Sequence, residues 1–305
     1  MAEAPLYFSA ADRQRLEPHL PPPQPSSHRK TTGLSPLSRP TLPFVTLTFA
    51  TSLDSALALG PGIRTTLSGP QTKAMTHYLR TRHDAICVGV GTAIADDPGL
   101  NSRLATAAVH VSDGSDNGER DMTGDRKDED NSRSTIPTHQ PRPIIIDPCL
   151  RWDFTAQSKV MRLAYEGKGL APYIVTLQKE PPIQKREILE AIGGKFIILS
   201  AVHNDEGKTS DTHHLDWHTI LSAVRQEGLH SIMIEGGAGI INSLLGEANL
   251  VDSVIVTIAP IWLGRGSVTV SPPRTLHADS PVARLSDTMW MPLGDDVVLC
   301  GKIAR

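Results

Sequence analysis

"IMIEGGAGIINSLLG" occupies residues 232–246. Ile232, Met233 and Ile234 form a short apolar run that ends on Glu235, and Gly236, Gly237, Ala238 and Gly239 turn the chain into a second apolar stretch with helical spacing. The pattern predicts a buried strand that delivers Glu235 to its carboxyl end, followed by a glycine turn and a helix over about 238–247. In open α/β sheets, ligands sit outside the carboxyl ends of the strands. Glycines let the backbone approach a pyrophosphate, and the free N–H groups of the first helical turn point at the anion. A tight strand–helix connection without any ligand needs the same glycines, so both readings stay open at this point.

Working outward, the flanking segments decide the fold class. FVTLTFA (44–50), AICVGV (85–90), PIIID (143–147), YIVTL (173–177) and FIILS (196–200) are short runs rich in valine and isoleucine. Runs apolar on both faces predict central strands covered by helices. Helices are expected at about 70–82 after Ser68 and Pro70, at about 182–192, and at about 216–227 opened by Asp216. Near the end, SVIVTIAP (253–260) and VVLCGKI (297–303) have no long helix between them, which favours an antiparallel pair. One α/β domain with a mixed sheet is therefore expected over 41–305. Residues 1–40 are rich in proline, serine and threonine and read as a disordered leader. A charged stretch at about 105–140, including DGSDNGERDMTGDRKDEDNSRS, reads as a solvated insertion, because apolar strands resume directly after it.

Bulk properties remove several classes. The formal net charge of 305 residues is −3, which makes no overall case for nucleic acid. No apolar run approaches the roughly 20 residues that span a bilayer. The first residues lack the basic and apolar regions of a secretory signal. Cys87, Cys149 and Cys300 lie far apart without a C-x-x-C pair, which suits a reducing compartment and disfavours zinc. A soluble cytoplasmic chain without a bound metal is the expectation.

Other motifs carry less. "GVGTAIADDPGLNSR" (89–103) begins with the G-x-G of a dinucleotide fingerprint, but Ile94 stands at the third glycine, and the segment reads as a strand end passing into a polar turn. In "TFATSLDSALAL" (48–59), Ser52 and Asp54 suit either a ligand or a turn. The helix near 70–82 has Met75 and Leu79 on one face and ends on Arg80 and Arg82, where arginine commonly complements the helix dipole. If Arg80 and Arg103 converge, they form a clamp for a phosphate monoester. His83 reads as a surface or boundary residue. His213, His214 and His218 in "DTHHLDWH" read as loop residues, since Asp216 caps the helix after His214.

Taken in order, "PFVTLTFATSLDSALAL", "TKAMTHYLRTRHDAICVGVGTAIADDPGLN", "PIIIDPCLRW" and "IMIEGGAGIINSLLGEANLVDSVIVTIAPIWLGRG" resemble the riboflavin-biosynthesis pyrimidine reductases, the stand-alone fungal type above all. The resemblance covers about 41–104 and 141–303. It implies a dihydrofolate-reductase-like fold, NADPH as hydride donor, a homodimer and a phosphorylated ribosylaminopyrimidine as substrate. It places cofactor contacts on Thr92, Asp96 and the Gly236, Gly237, Ala238, Gly239 and Ile240 turn. It places substrate contacts on Arg80, Leu100, Arg103 and Glu235, with Glu235 and Asp96 as candidates for orienting hydroxyls or moving a proton. Bacterial relatives carry a lysine where this chain has Thr48, and an N-terminal zinc deaminase whose H-x-E and P-C-x-x-C motifs are not found here. The resemblance therefore implies reduction alone. A reductase of the same fold for a pterin or folate-like ring, or a nucleotide-binding regulator without catalysis, remain as alternatives.

Overall fold

The computed structural model describes residues 6–23, 41–105, 139–200, 215–274 and 279–304. Within them the helices are α1 (Ala10–Leu16), α2 (Pro70–Arg82), α3 (Val90–Asp96), α4 (Lys159–Tyr165), α5 (Ile183–Glu190), α6 (Trp217–Gln226) and α7 (Ala238–Gly246). The strands are β1 (Phe44–Thr51), β2 (Ala56–Ala58), β3 (Ala85–Gly89), β4 (Arg142–Ile146), β5 (Tyr173–Thr176), β6 (Lys195–Ile198), β7 (Ser231–Ile234), β8 (Ser253–Ile258), β9 (Val268–Thr269), β10 (Leu285–Leu293) and β11 (Asp296–Ile303).

A nine-stranded sheet runs in the order β10-β11-β8-β1-β7-β3-β4-β5-β6. From β8 to β6 every pairing is parallel, while β11 joins β8 and β10 joins β11 antiparallel. The mixed sheet with an antiparallel C-terminal end is thus as expected, and its inner parallel strands β3, β4 and β7 are almost wholly buried. One core layer joins Leu47, Ile144 and Ile234 to Trp217, Ile220 and Leu221 of α6. Another packs Met75 and Leu79 of α2 against Met233, Ile255 and Val298. β7 slots between β1 and β3, with Val45 opposite Ile232 and Cys87 opposite Ile234. That insertion puts the glycine turn after β7 beside the segment that leaves β3.

Two expectations are corrected. The leader is ordered over 6–23. Ser9 caps α1, its hydroxyl accepting the Asp12 N–H at 3.1 Å. Phe8, Leu16 and Leu20 are buried beside Tyr78, Met291 and Val298, and the Phe8 and Tyr78 rings lie 5.3 Å apart. Apolar burial outweighs the proline-rich composition there. His83 is not at the surface: it is fully buried, with one ring nitrogen 2.7 Å from Thr46 Oγ1 and the other 2.8 Å from the Leu79 carbonyl. The acidic insertion lies outside the described residues except at its edges, where Gln140 and Ser102 exchange hydrogen bonds.

Candidate active site

β3 and β7 are adjacent and parallel, so the turns at their carboxyl ends meet. Gly236 has φ +64, and a Cβ there would stand 2.7 Å from Ile241 Cγ1, so glycine is required. Gly237 is extended and precedes α7 directly. Across from it, residues 90–96 form a helix rather than the expected polar turn, and Thr92 and Asp96 share one face at i, i+4. The Thr92 hydroxyl donates to the Gly236 carbonyl at 3.2 Å and locks the two turns together. Thr92, Asp96, Glu235, Gly236, Gly237 and Ala238 line one side of a cleft of about 720 Å3. Thr48 and Thr257 also line it, and residues 60–68 form the facing wall.

The two carboxylates of the cleft differ. Glu235 is held by Arg80, whose Nε and Nη2 donate to Oε1 at 3.0 and 2.9 Å while Nη2 also reaches Oε2 at 3.0 Å. The remaining Arg80 nitrogen donates to the Asn101 carbonyl at 3.0 Å. Asp96 Oδ1, by contrast, is buried and receives no hydrogen bond. Beside Arg80, desolvation lowers the pKa of the buried His77 ring from near 6.5 to about 3, with the Arg80 and Lys73 charges adding to it. His77 Nδ1 accepts the Arg103 backbone N–H at 2.9 Å, so the neutral ring carries its proton on Nε2. Nε2 then cannot also accept from Arg103 Nη2, 3.4 Å away.

The expected residues therefore separate. Thr92, Asp96, Glu235 and the Gly236–Ala238 part of the turn come together on the cleft; Gly239 and Ile240 continue into α7. Arg80 reaches the site through Glu235. Arg80 binds Glu235 and the Arg103 backbone binds His77, and neither arginine is among the residues that line the cleft, so the two share no partner here. Leu100, at φ 53, buries its side chain with Ile86 and Val88, leaving only its main chain for a ligand. Asp54 is a turn residue: it accepts from Ser52 Oγ and from the Leu263 and Gly264 N–H groups. Asp216 caps α6 as expected, His218 is exposed on that helix, and His213 and His214 lie outside the described residues. The wall at 60–68 was missed; its one sequence signal is the turn-forming "GPG" at 60–62.

A cleft at the carboxyl ends of parallel strands, lined by two carboxylates and a glycine turn, has the arrangement of an α/β ligand-binding site. The profile of the RibD C-terminal domain family matches residues 43–299, and the chain belongs to that family. It is 38% identical, over 100% of both chains, to the Eremothecium gossypii 2,5-diamino-6-ribosylamino-4(3H)-pyrimidinone 5′-phosphate reductase. The enzyme of the same name from Debaryomyces hansenii is 38% identical over 98% of both chains. Among solved structures, the Saccharomyces cerevisiae riboflavin biosynthesis reductase superposes with a TM-score of 0.64 at 32% identity, over 95% of this chain and 98% of that one. No helix among the described residues is long and apolar enough to cross a membrane.

Proposed function

We propose that the chain, as a homodimer, reduces 2,5-diamino-6-ribosylamino-4(3H)-pyrimidinone 5′-phosphate to its ribitylamino counterpart, with NADPH as hydride donor. The observation that carries this reading is the convergence of the glycine turn, Thr92, Asp96 and Glu235 on one cleft. These residues fit a dinucleotide. A Cβ on Gly237 would meet only Thr92 Oγ1, at 3.5 Å, and one on Gly91 would meet nothing within 4 Å, so the backbone is open to a ligand at both. An acceptor buried without a donor, as Asp96 Oδ1 is, costs on the order of 1–3 kcal/mol until a ligand supplies one.

The cofactor supplies the hydride for C1′ of the substrate's open imine. The chain's own groups do the rest. The first N–H groups of α7 would hold the phosphates of a bound dinucleotide. Thr92 holds the glycine turn in place for them. Asp96 accepts a ligand hydroxyl or passes the proton that the imine nitrogen gains. Glu235, held in one orientation by Arg80, accepts from the hydroxyls of the opened sugar.

The test is NADPH oxidation by the purified chain with this substrate, with its deaminated counterpart and with dihydrofolate, the product being identified by mass. A product that gains two hydrogens from the first substrate alone is expected. Reduction of dihydrofolate, with the ribosylamino compound untouched, would refute the reading.

A further inference from the structure

Both ligands of the proposed reaction are polyanions, yet the cleft carries Asp96 and Glu235. Like charges at that range repel unless a cation intervenes. Arg80 balances Glu235, to which it gives three of its hydrogen bonds, and a fourth goes to the Asn101 carbonyl. Among the described residues that line the cleft, Arg64 is the one remaining cation, and no ion pair in the described structure engages it.

Its backbone is held from both sides. Pro61 and Gly62 form a turn closed by the Ile63 N–H on the Gly60 carbonyl at 3.1 Å, and Gly62, at φ +74, has the conformation that position i+2 of a type II turn requires. Immediately after Arg64, the Thr65 hydroxyl accepts the Leu59 N–H at 3.0 Å and donates to the Ile63 carbonyl at 3.3 Å. The loop is thus stapled to the end of β2, with Arg64 between the turn and the Thr65 staple. Thr66 and Ser68 line the same wall and offer hydroxyl donors.

We propose that Arg64 receives a phosphate monoester in the cleft, an assignment that rests on the reductase reading above. The guanidinium fork pairs two donors with two phosphate oxygens, a match that a lysine does not reproduce. Two phosphate monoesters enter in that reading: the 5′-phosphate of the substrate and the 2′-phosphate that distinguishes NADPH from NADH.

The experiment compares the full-length parent with Arg64→Ala, Arg64→Lys and, as a charge control on exposed α5, Arg186→Ala. It measures substrate KM, NADPH Kd by titration, and the ratio of kcat/KM for NADPH over NADH. If Arg64 holds the 5′-phosphate, Arg64→Ala raises substrate KM roughly ten- to hundredfold and leaves NADPH Kd alone, with partial rescue in Arg64→Lys. If it holds the 2′-phosphate, NADPH Kd rises by the same factor and the preference over NADH collapses. Either result supports the assignment and names the source. Both constants staying within about twofold of the parent, the size of a surface-charge effect, or shifting equally in Arg186→Ala, overturn it. A parent that binds NADPH but does not turn over the substrate refutes the reductase reading, and Arg64 is then judged on Kd alone: an unchanged Kd overturns the assignment too.

Discussion

Arg80 separates two accounts of the site, and removing it tests which is right. In the structure it donates three hydrogen bonds to Glu235 and one to the Asn101 carbonyl, with side-chain exposures of 14% for Arg80 and 23% for Glu235. An exposed ion pair contributes about 0–1 kcal/mol, whereas breaking a buried one costs about 3–5 kcal/mol because the survivor keeps an uncompensated charge. A pair this sheltered, with bidentate geometry, falls between these limits, so Arg80→Ala should destabilise the fold by about 2 kcal/mol. A cycle of Arg80→Ala, Glu235→Gln and the double variant, followed by urea denaturation near neutral pH, isolates the pairwise part. A coupling of about 1.5 kcal/mol or more is expected. Coupling below about 0.5 kcal/mol would refute the argument and release Arg80 for a ligand. Kinetics give a second reading. If Arg80 acts through Glu235, kcat/KM falls by the same factor for the phosphorylated substrate and its dephosphorylated analogue. A loss confined to the phosphorylated compound would make Arg80 the phosphate ligand.

The glycine turn divides into a structural and a ligand-facing position. Gly236→Ala should cost about 2–4 kcal/mol in chemical denaturation, through strain at φ +64 and the contact with Ile241, while Gly237→Val should keep the fold and weaken NADPH binding at least tenfold; an unchanged Kd removes Gly237 from the site. Phe8→Ala should destabilise by about 3 kcal/mol, since the ring is buried against Tyr78; a Tm equal to the parent's would show that the N-terminal segment does not pack. His77 and His83, shifted by burial to about 3 and about 4, bind protons in the unfolded chain below about pH 6.5 and refuse them in the folded one. Stability should therefore drop as pH falls below that value, by up to about 1.4 kcal/mol per unit for each ring. His77→Asn should flatten this slope between about pH 6 and 4, and an unaltered slope would show that the ring is not held neutral.

The parallel strands were legible because burial on both faces leaves runs such as Ile144–Ile145–Ile146 that need no alternation. Their order was not, since β7 enters between β1 and β3 through pairings that span some of the longest separations in the chain. β10 was missed for a local reason: as an edge strand it contains Ser286, Asp287 and Thr288, and its ladder with β11 breaks register between Ser286 and Met289. The N-terminal helix did leave a signal. Ser9 and Asp12 form the S-x-x-D pattern of a capped start, with Leu16 and Leu20 at i, i+4, but the prolines around it dominated the composition.

The site was legible in proportion to how local it is. Glu235 and its glycine turn follow one strand into one helix, so their placement needs no long-range information. Thr92 and Asp96 share a face only because residues 90–96 are helical, and "VGTAIAD" has glycine and β-branched residues that argue against a helix until the neighbouring turn supports it. The arginines are the extreme case. In the sequence Arg64, Arg80 and Arg103 are equal cations, and the resemblance gives the phosphate to Arg80 and Arg103, with the clamp depending on a convergence that spacing does not show. In the fold, Glu235 cancels Arg80, and Arg103 stands outside the cleft. Arg64 lines it on the loop that follows β2, a strand paired with β9, Ala58 opposite Val268, across more than half the chain. The charge left for an anion is a property of pairings, and pairings between residues this distant are set by the sheet, which is why the cation of the cleft could not be read from any one motif.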